Sequence, residues 1–474
     1  MLKFLKDVDD MVWGIPMIVL IMGVGILLSV RMGFLQFRRL GKALKYMWHN
    51  EEGGQGEVSS FGALCTALAA TIGTGNIVGV ATAVMAGGPG ALFWMIVAAC
   101  FGMSTKYAEG LLAVKFRDHD PETGHSLGGP FKYIEKGMGP RWKWLAKLFA
   151  FFGVLAGIMG IGTITQVSGI TAAAKTLFDP NLEHVAFAFK DIEYSWATVI
   201  SAIVVAVSVA LVLIGGIKRI ASVTTVIVPF MAIAYVLICI SILVYNGDKI
   251  PGALALIVKS AFGLKAAAGG ALGAMMVAMQ KGVARGIFSN ESGLGSAPIA
   301  AAAAMTKEPV RQGLVSMTGT FVDTIIICTM TGTTLVVTGA YKTNLEGVDV
   351  TIFAFGNGLP WSERTGALVL LLSLAMFAFT TILGWNYYSE RCLEYLTGGN
   401  KNLNLIYRWL WVLSVLIGPF LTLSAIWTTA DIFNGLMAFP NLVGLLALNG
   451  VVVAETRSYF KRLNAGEIVE FESK

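Results

Sequence analysis

Eleven stretches of this sequence are apolar for long enough to cross roughly 30 Å of hydrocarbon. They are Trp13–Val30, Leu64–Val84, Ala91–Val114, Leu145–Ala172, Trp196–Ile214, Val223–Val244, Gly269–Ala304, Leu314–Gly339, Thr365–Tyr387, Tyr407–Trp427 and Leu436–Val453. The gaps between them are short. The longest, Lys115 to Lys147, has room for an interfacial helix around Pro130–Lys136 but for no folded domain. With 55% hydrophobic and 14% charged residues, the 474-residue chain reads as an all-α polytopic membrane protein of one domain. Asp7, Asp9 and Asp10 precede the first span where a signal peptide is basic, and no A-x-A site follows it, so that span is expected to stay as a helix. The cysteines, Cys65, Cys100, Cys239, Cys328 and Cys392, lie in or at the ends of apolar runs without CxxC spacing and read as packing residues.

Lysine and arginine placement sets the expected orientation. Alternate loops collect Arg38, Arg39, Lys42 and Lys45, then the basic residues from Lys115 to Lys147, then Lys218 and Arg219, Lys307 and Arg311, and Arg391, Lys401 and Arg408. Arg457, Lys461, Arg462 and Lys474 follow in the tail. This pattern predicts an outside N-terminus and a cytoplasmic C-terminus. The net charge of +6 then faces anionic lipid heads, and nothing supports a nucleic-acid partner.

Two of the spans interrupt themselves. "ALAATIGTGNIVGVATAV", Ala67 to Val84, carries Thr71, Gly73, Thr74, Gly75 and Asn76 at its centre. "MVAMQKGVARGIFSNESGLGSAPIAAAAAM" is punctuated by Gly282, Gly286, Gly293, Gly295 and Pro298, with Ser289, Asn290 and Glu291 at its middle. Glycine and proline weaken the helical ladder. Backbone groups freed in hydrocarbon must be satisfied, so such breaks survive only inside protein or facing water. With the first span set aside, the broken spans open two five-span halves of opposite orientation. That is the pattern of an inverted-repeat transporter with its site between two discontinuous helices. The expected divisions are 1–60 for the N-terminal helix and first cytoplasmic loop, 61–250 and 251–456 for the repeats, and 457–474 for a cytoplasmic tail.

A broken helix offers amides at one half's N-terminus and carbonyls at the other half's C-terminus. The amides suit a carboxylate, and the carbonyls suit Na⁺ or an ammonium group. "GTGNIVG" is no dinucleotide fingerprint, because its third glycine comes one residue late and it sits in a span. Gly79, Ala81 and Ala83 read as helix-packing residues, whereas Gly73, Thr74, Gly75 and Asn76 together read as functional.

"TIGTGN" (Thr71–Asn76), "GGPGALFWM" (Gly87–Met95), "SNESGLGSAP" (Ser289–Pro298) and "LGWNYYSE" (Leu383–Glu390) resemble characteristic stretches of the alanine/glycine:cation symporter family. The resemblance implies a LeuT-type fold, here an N-terminal helix plus a 5+5 inverted-repeat core, and import of alanine, glycine or both with Na⁺ as the co-transported ion. It implies a multi-pass protein of the cell inner or plasma membrane; no organic cofactor is expected, and a monomer is one option for an oligomeric state that the sequence leaves open. It places the substrate at Thr74 and Gly75, with Gln166 of "GIGTITQ" assisting the amides at the carboxylate. It sets Phe288, beside Ser289 and Asn290, and Trp385 around the side chain. Met159 stands where some relatives carry an aromatic, which leaves the alanine-versus-glycine preference open. For sodium, LeuT-type folds use two adjacent hydroxyls, matched by Thr380 and Thr381, facing carbonyls near Ala69 and Ile72. The competing reading is that both threonines bond their own helix. A second ion would use Thr71 and Asn76 with the substrate carboxylate.

Other charges in the spans need partners. Lys106 and Glu109, three apart on one helical face, are expected to pair. Arg285 is expected against Glu291 or Asp323, and Asp431 as a cap in a short outer connection. The histidines at positions 49, 119, 125 and 184 all fall between spans, which disfavours a histidine proton relay. An enzyme is not expected, since no nucleophile–base pair or metal-ligand cluster shares one depth. The alternatives are a proton-coupled or other small-solute transporter and a substrate-sensing membrane protein.

Overall fold

The computed structural model describes residues 2–49, 51, 53–119, 125–189, 192–263, 270–421 and 423–468. Gly269, where the seventh predicted span begins, and Lys474 of the tail lie outside them. The long helices are α1 (Ile15–Arg31), α2 (Ser60–Thr71), α3 (Gly75–Gly87), α4 (Gly90–Lys115), α5 (Lys143–Met159), α6 (Ile164–Phe178), α7 (Trp196–Leu213) and α8 (Gly216–Tyr245). They continue with α9 (Ala271–Asn290), the single-turn α10 (Ala297–Ala301), α11 (Pro309–Val337), α12 (Glu363–Thr397), α13 (Lys401–Ile417) and α14 (Leu423–Asn464). Two small antiparallel hairpins, Asp118–His119 with Ser126–Leu127 and Val185–Phe189 with Ile192–Ser195, are the strands that the sequence reading lacks.

The molecule is inside-out for water. On α8, Val226, Phe230, Ile233 and Leu237 recur every three or four residues and are all more than half exposed. An apolar stripe of that length facing outward fits lipid contact. The polar side chains at the breaks, such as Asn76 and Ser289, and Asp323 of α11 are buried instead.

Among the described residues nine helices are long and apolar enough to span, or ten when α2 and α3, bent by 53°, count as one. The expected count of eleven is not reached by that measure. The seventh predicted span contributes α9 and α10, and Gln280, Lys281 and Arg285 reduce the apolarity of α9. Two boundaries also move. The predicted Tyr407–Trp427 span ends early, because Gly418 and Pro419 stop α13 after Ile417. The predicted Leu145–Ala172 span splits into α5 and α6 at Gly160–Thr163, a third break.

The third break is closely packed. A Cβ at Gly162 would stand 2.6 Å from Trp385 Cβ and 2.8 Å from the Trp411 ring. Only glycine lets α12 and α13 approach so closely at that position. Gln166 then donates from Nε2 to the Ile161 carbonyl at 3.0 Å, satisfying a group that the break frees.

Candidate functional site

The first break begins where α2 stops. Ile72 is extended, at φ −77° and ψ 92°. In a regular helix the Gly73 amide would bond the Ala69 carbonyl. Here it donates to Asn76 Oδ1 at 2.9 Å, and the Thr74 amide donates to Gln166 Oε1 at 3.3 Å. The carbonyls of Ala69 and Ala70 thereby lose their regular partners. The Thr381 hydroxyl arrives from α12, 3.3 Å from the Ile72 carbonyl and 3.0 Å from that of Phe377. A Cβ at Gly73 would lie 2.5 Å from Thr381 Oγ1 and 3.3 Å from Gln166 Oε1. So Ile72, Gly73, Thr74, Gln166 and Thr381 come together. Thr74 Oγ1 is buried there with no hydrogen-bond partner among the described residues.

Thr380 does not join them. Its hydroxyl donates to Phe377 O at 3.0 Å and Met376 O at 3.2 Å, and lies against Met231 Sδ on α8. The own-helix reading describes Thr380 well, whereas Thr381 bonds both its own helix and the break. Thr71 likewise spends its hydroxyl on the carbonyls of Ala67 and Leu68, apart from Asn76.

The second break lies between α9 and α10. Glu291 caps α9 in the left-handed region at φ 58°, which costs a non-glycine residue about 1 kcal/mol. Three contacts hold it: Trp385 Nε1 donates to Glu291 Oε1 at 2.8 Å, Ser296 Oγ donates to Oε2 at 2.5 Å, and the Glu291 amide bonds the Ile287 carbonyl. Phe288 and Ser289 pack on Gly75, with Phe288 Cδ1 3.5 Å from where a Cβ would stand. Ser289 Oγ donates to Asp323 Oδ2 at 2.9 Å, and Asn290 Nδ2 to Thr324 Oγ1 at 3.0 Å. Both polar groups therefore face α11 rather than α2.

Sequence reasoning did not assign Asp323 to the site. It lies in a π-helical stretch of α11, Phe321–Cys328, opposite the π-helical Gly75–Gly79 of α3, and Asn76 Nδ2 donates to its Oδ1 at 2.7 Å. A carboxylate inside "FVDTIIIC" was the available signal, since an intramembrane charge is a site candidate by default. Glu291 is the second such residue.

Lys106 and Glu109 do not pair with each other, which corrects the expectation. Lys106 Nζ donates to the Asn290 carbonyl at 2.8 Å, at the C-terminal end of α9. Glu109 Oε1 accepts from the Gly293 amide at 3.1 Å, and from Asn441 Nδ2 at 2.6 Å. The cation meets the carbonyl end of one half-helix, and the carboxylate meets an amide on the way into the next. Both signs follow the helix dipole. Side chains of α4 thus bridge the second break.

Arg285 is also placed differently from expectation. Its guanidinium lies 5.4 Å above the Phe288 ring and 3.4 Å from Asp431 Oδ2, not against Glu291 or Asp323. Asp431 sits within α14 and caps nothing, because α14 already begins at Leu423, and its carbonyl accepts from Trp13 Nε1 at 2.8 Å. Above Phe288 this leaves a charged pocket of about 100 Å³ that also includes Asp9, Asp10 and Lys281.

At the opposite end of the bundle His125 ties three segments together. Its Nε2 lies 2.7 Å from Glu394 and its Nδ1 3.2 Å from Glu57, just before α2. Bonding to Glu394, then to Glu57, raises the imidazole pKa from 6.5 to about 9. Stabilisation from the charged ring is complete below pH 6.5 and lost as pH rises through about 9. The melting temperature of the purified protein should fall across that window, and His125→Gln should flatten the fall. An undiminished slope in the variant would assign it to other groups.

A solved structure described as MhsT in complex with L-phenylalanine superposes with a TM-score of 0.56 over 86% of this chain and 99% of that one, at 14% identity. The fold is therefore LeuT-like. The family model for the sodium:alanine symporter family matches residues 1–473, and the chain belongs to that family. The sodium/alanine symporter AgcS of Methanococcus maripaludis is 46% identical over 467 residues, covering 96% of this chain and 97% of that protein. An uncharacterized transporter of Haemophilus influenzae is 55% identical over 465 residues, with 97% and 96% covered. The probable sodium/glutamine symporter GlnT of Bacillus subtilis is 35% identical over 462 residues, with 97% and 91% covered. The chain is thus a multi-pass membrane transporter that acts on an amino acid, not an enzyme.

Proposed function

We propose that the protein imports alanine, glycine or both together with Na⁺ by alternating access between the repeats 61–250 and 251–456, with its N-terminus outside and its C-terminus in the cytoplasm. The observation that carries this reading is the first break, where released carbonyls at Ala69 and Ala70 adjoin an Ile72 carbonyl touched by Thr381 Oγ1. Two ligands each about 2.4 Å from a hard cation, at right angles, lie about 3.4 Å apart. The 3.3 Å between Ile72 O and Thr381 Oγ1 suits that geometry. Ala69, Ile72 and Thr381 are accordingly the first cation ligands, with Thr380 supporting from the neighbouring position. Asp323 and Ser289 form a second oxygen pair, toward which Asn76 presents its amide NH₂ and which Thr71 does not reach.

The amides of Thr74 and Gly75, with the Gln166 carboxamide, take the substrate carboxylate. Phe288 and Trp385 close over a small side chain, and Ser289 and Asn290 hold the second break against α11. Sodium entering first orders the break and raises amino-acid affinity, and the amino acid must raise sodium affinity equally.

The test is uptake of labelled alanine into proteoliposomes with an inward Na⁺ gradient, repeated with choline in place of Na⁺ at matched pH. Accumulation only with Na⁺ is expected, and equal uptake in both overturns sodium coupling. The buried carboxylates Asp323 and Glu291 favour one rival, proton coupling, which a pH gradient without Na⁺ would reveal. Thr381→Ala should raise the half-maximal Na⁺ concentration about tenfold, equivalent to about 1.4 kcal/mol. Thr380→Ala should move it less, because its hydroxyl faces Met231. The reverse order would exchange their roles.

A further inference from the structure

We infer that the cleft between the ends of α1 and α14 binds the anionic phosphate headgroup of a membrane phospholipid. The cleft holds about 330 Å³ and is lined by Arg31, Arg38, Arg39, Arg457 and Lys461, with no carboxylate among its lining residues. The nearby acids are engaged elsewhere: Glu455 pairs with Lys115 and Glu308 with Arg462. None of the five lining cations closes an ion pair within the described residues. Arg457 and Lys461, one turn apart on α14, repel each other unless an anion lies between the chains.

The cleft is shaped as well as charged. Arg39 is fixed with its guanidinium 4.5 Å over the Phe460 ring. Arg38 donates to the Gly33 carbonyl at 3.3 Å. The chain reverses sharply after α1 through two left-handed residues, Gly33 at φ 62° and Phe34 at φ 54°. That turn leaves Phe34 and Phe37 exposed and stacked at 6.5 Å, the position of aromatic anchors at a bilayer interface. Exposed Leu27 and Val30 continue the apolar surface up α1, where acyl chains would lie. Basic pockets at the ends of transmembrane helices commonly hold phospholipid heads. A soluble phosphate ester shares the headgroup chemistry but gains nothing from this apolar surround.

The test uses the full chain, delipidated in neutral detergent and examined by native mass spectrometry. The probes are phosphatidylglycerol, phosphatidylcholine and sn-glycerol 3-phosphate. Phosphatidylglycerol should be retained about tenfold over phosphatidylcholine. The variant Arg38→Gln/Arg457→Gln/Lys461→Gln should lose that preference, and Lys218→Gln/Arg219→Gln should keep it. If the triple variant does not fold, Lys461→Gln alone should weaken retention about threefold. Equal retention of the two lipids overturns the inference, as does an unchanged preference in the folded triple variant or in Lys461→Gln. Displacement of phosphatidylglycerol by an equal concentration of glycerol phosphate overturns the lipid assignment in favour of a soluble anion.

Discussion

Gly73→Ala is expected to reduce sodium-driven alanine uptake by about 100-fold while the protein still folds and inserts. The added methyl would lie 2.5 Å from Thr381 Oγ1 and 3.3 Å from Gln166 Oε1. Something must move, and both neighbours belong to the proposed site. Displacing each at a cost of about 1.4 kcal/mol loses tenfold twice over, which compounds at subsaturating concentrations. Helix α3, which follows the break, supplies the controls. At Gly75 the nearest atom to an added methyl is 3.4 Å away, an ordinary contact, and at Gly79 nothing lies within 4 Å. Uptake by the three alanine variants should therefore rank Gly73 lowest, Gly75 intermediate and Gly79 near the parent. A Gly73 variant that transports like the parent would remove the first break from the mechanism.

Lys106→Met should cost about 1–3 kcal/mol of stability, because it orphans the buried Asn290 carbonyl at the end of α9. Thermal melting in detergent reads this directly. Lys106→Met/Glu109→Gln should lose less than the sum of the single variants, since the two residues bridge one break. Additive losses would mean that the ends of α9 and α10 are held independently.

The sequence made the two breaks legible because glycine, proline and polar residues cluster there in otherwise apolar spans. It located Thr381, Gln166 and Trp385 through family-like motifs rather than through periodicity. What it hid are contacts between segments distant in sequence. The pairing of Lys106 with Glu109 looked natural from i,i+3 spacing, yet a freed carbonyl and a freed amide on another helix compete for both groups. Arg285 offered two carboxylates nearby in sequence or depth and met a third, Asp431, from α14. The break at Gly160–Thr163 carries a shorter signal of the same kind, Gly160 and Gly162 beside Thr163, and the close approach of Gly162 to Trp385 and Trp411 is again a contact between distant segments. Thr380 and Thr381 are neighbours in sequence, but successive helical residues point about 100° apart, so only one reaches the break.

The hydrogen bond between Gln166 Oε1 and the Thr74 amide has a kinetic meaning. In the binding mode proposed above, a carboxylate arriving at that amide evicts the glutamine oxygen, so binding exchanges one acceptor for another instead of filling a vacant donor. Rotating the Gln166 carboxamide then offers its NH₂ to the newcomer and leaves the Ile161 carbonyl. Such an exchange holds the cargo loosely in both directions, and departure is as well compensated as arrival. A scavenging receptor profits from a deep well, whereas a carrier that must let go on every cycle profits from a shallow one.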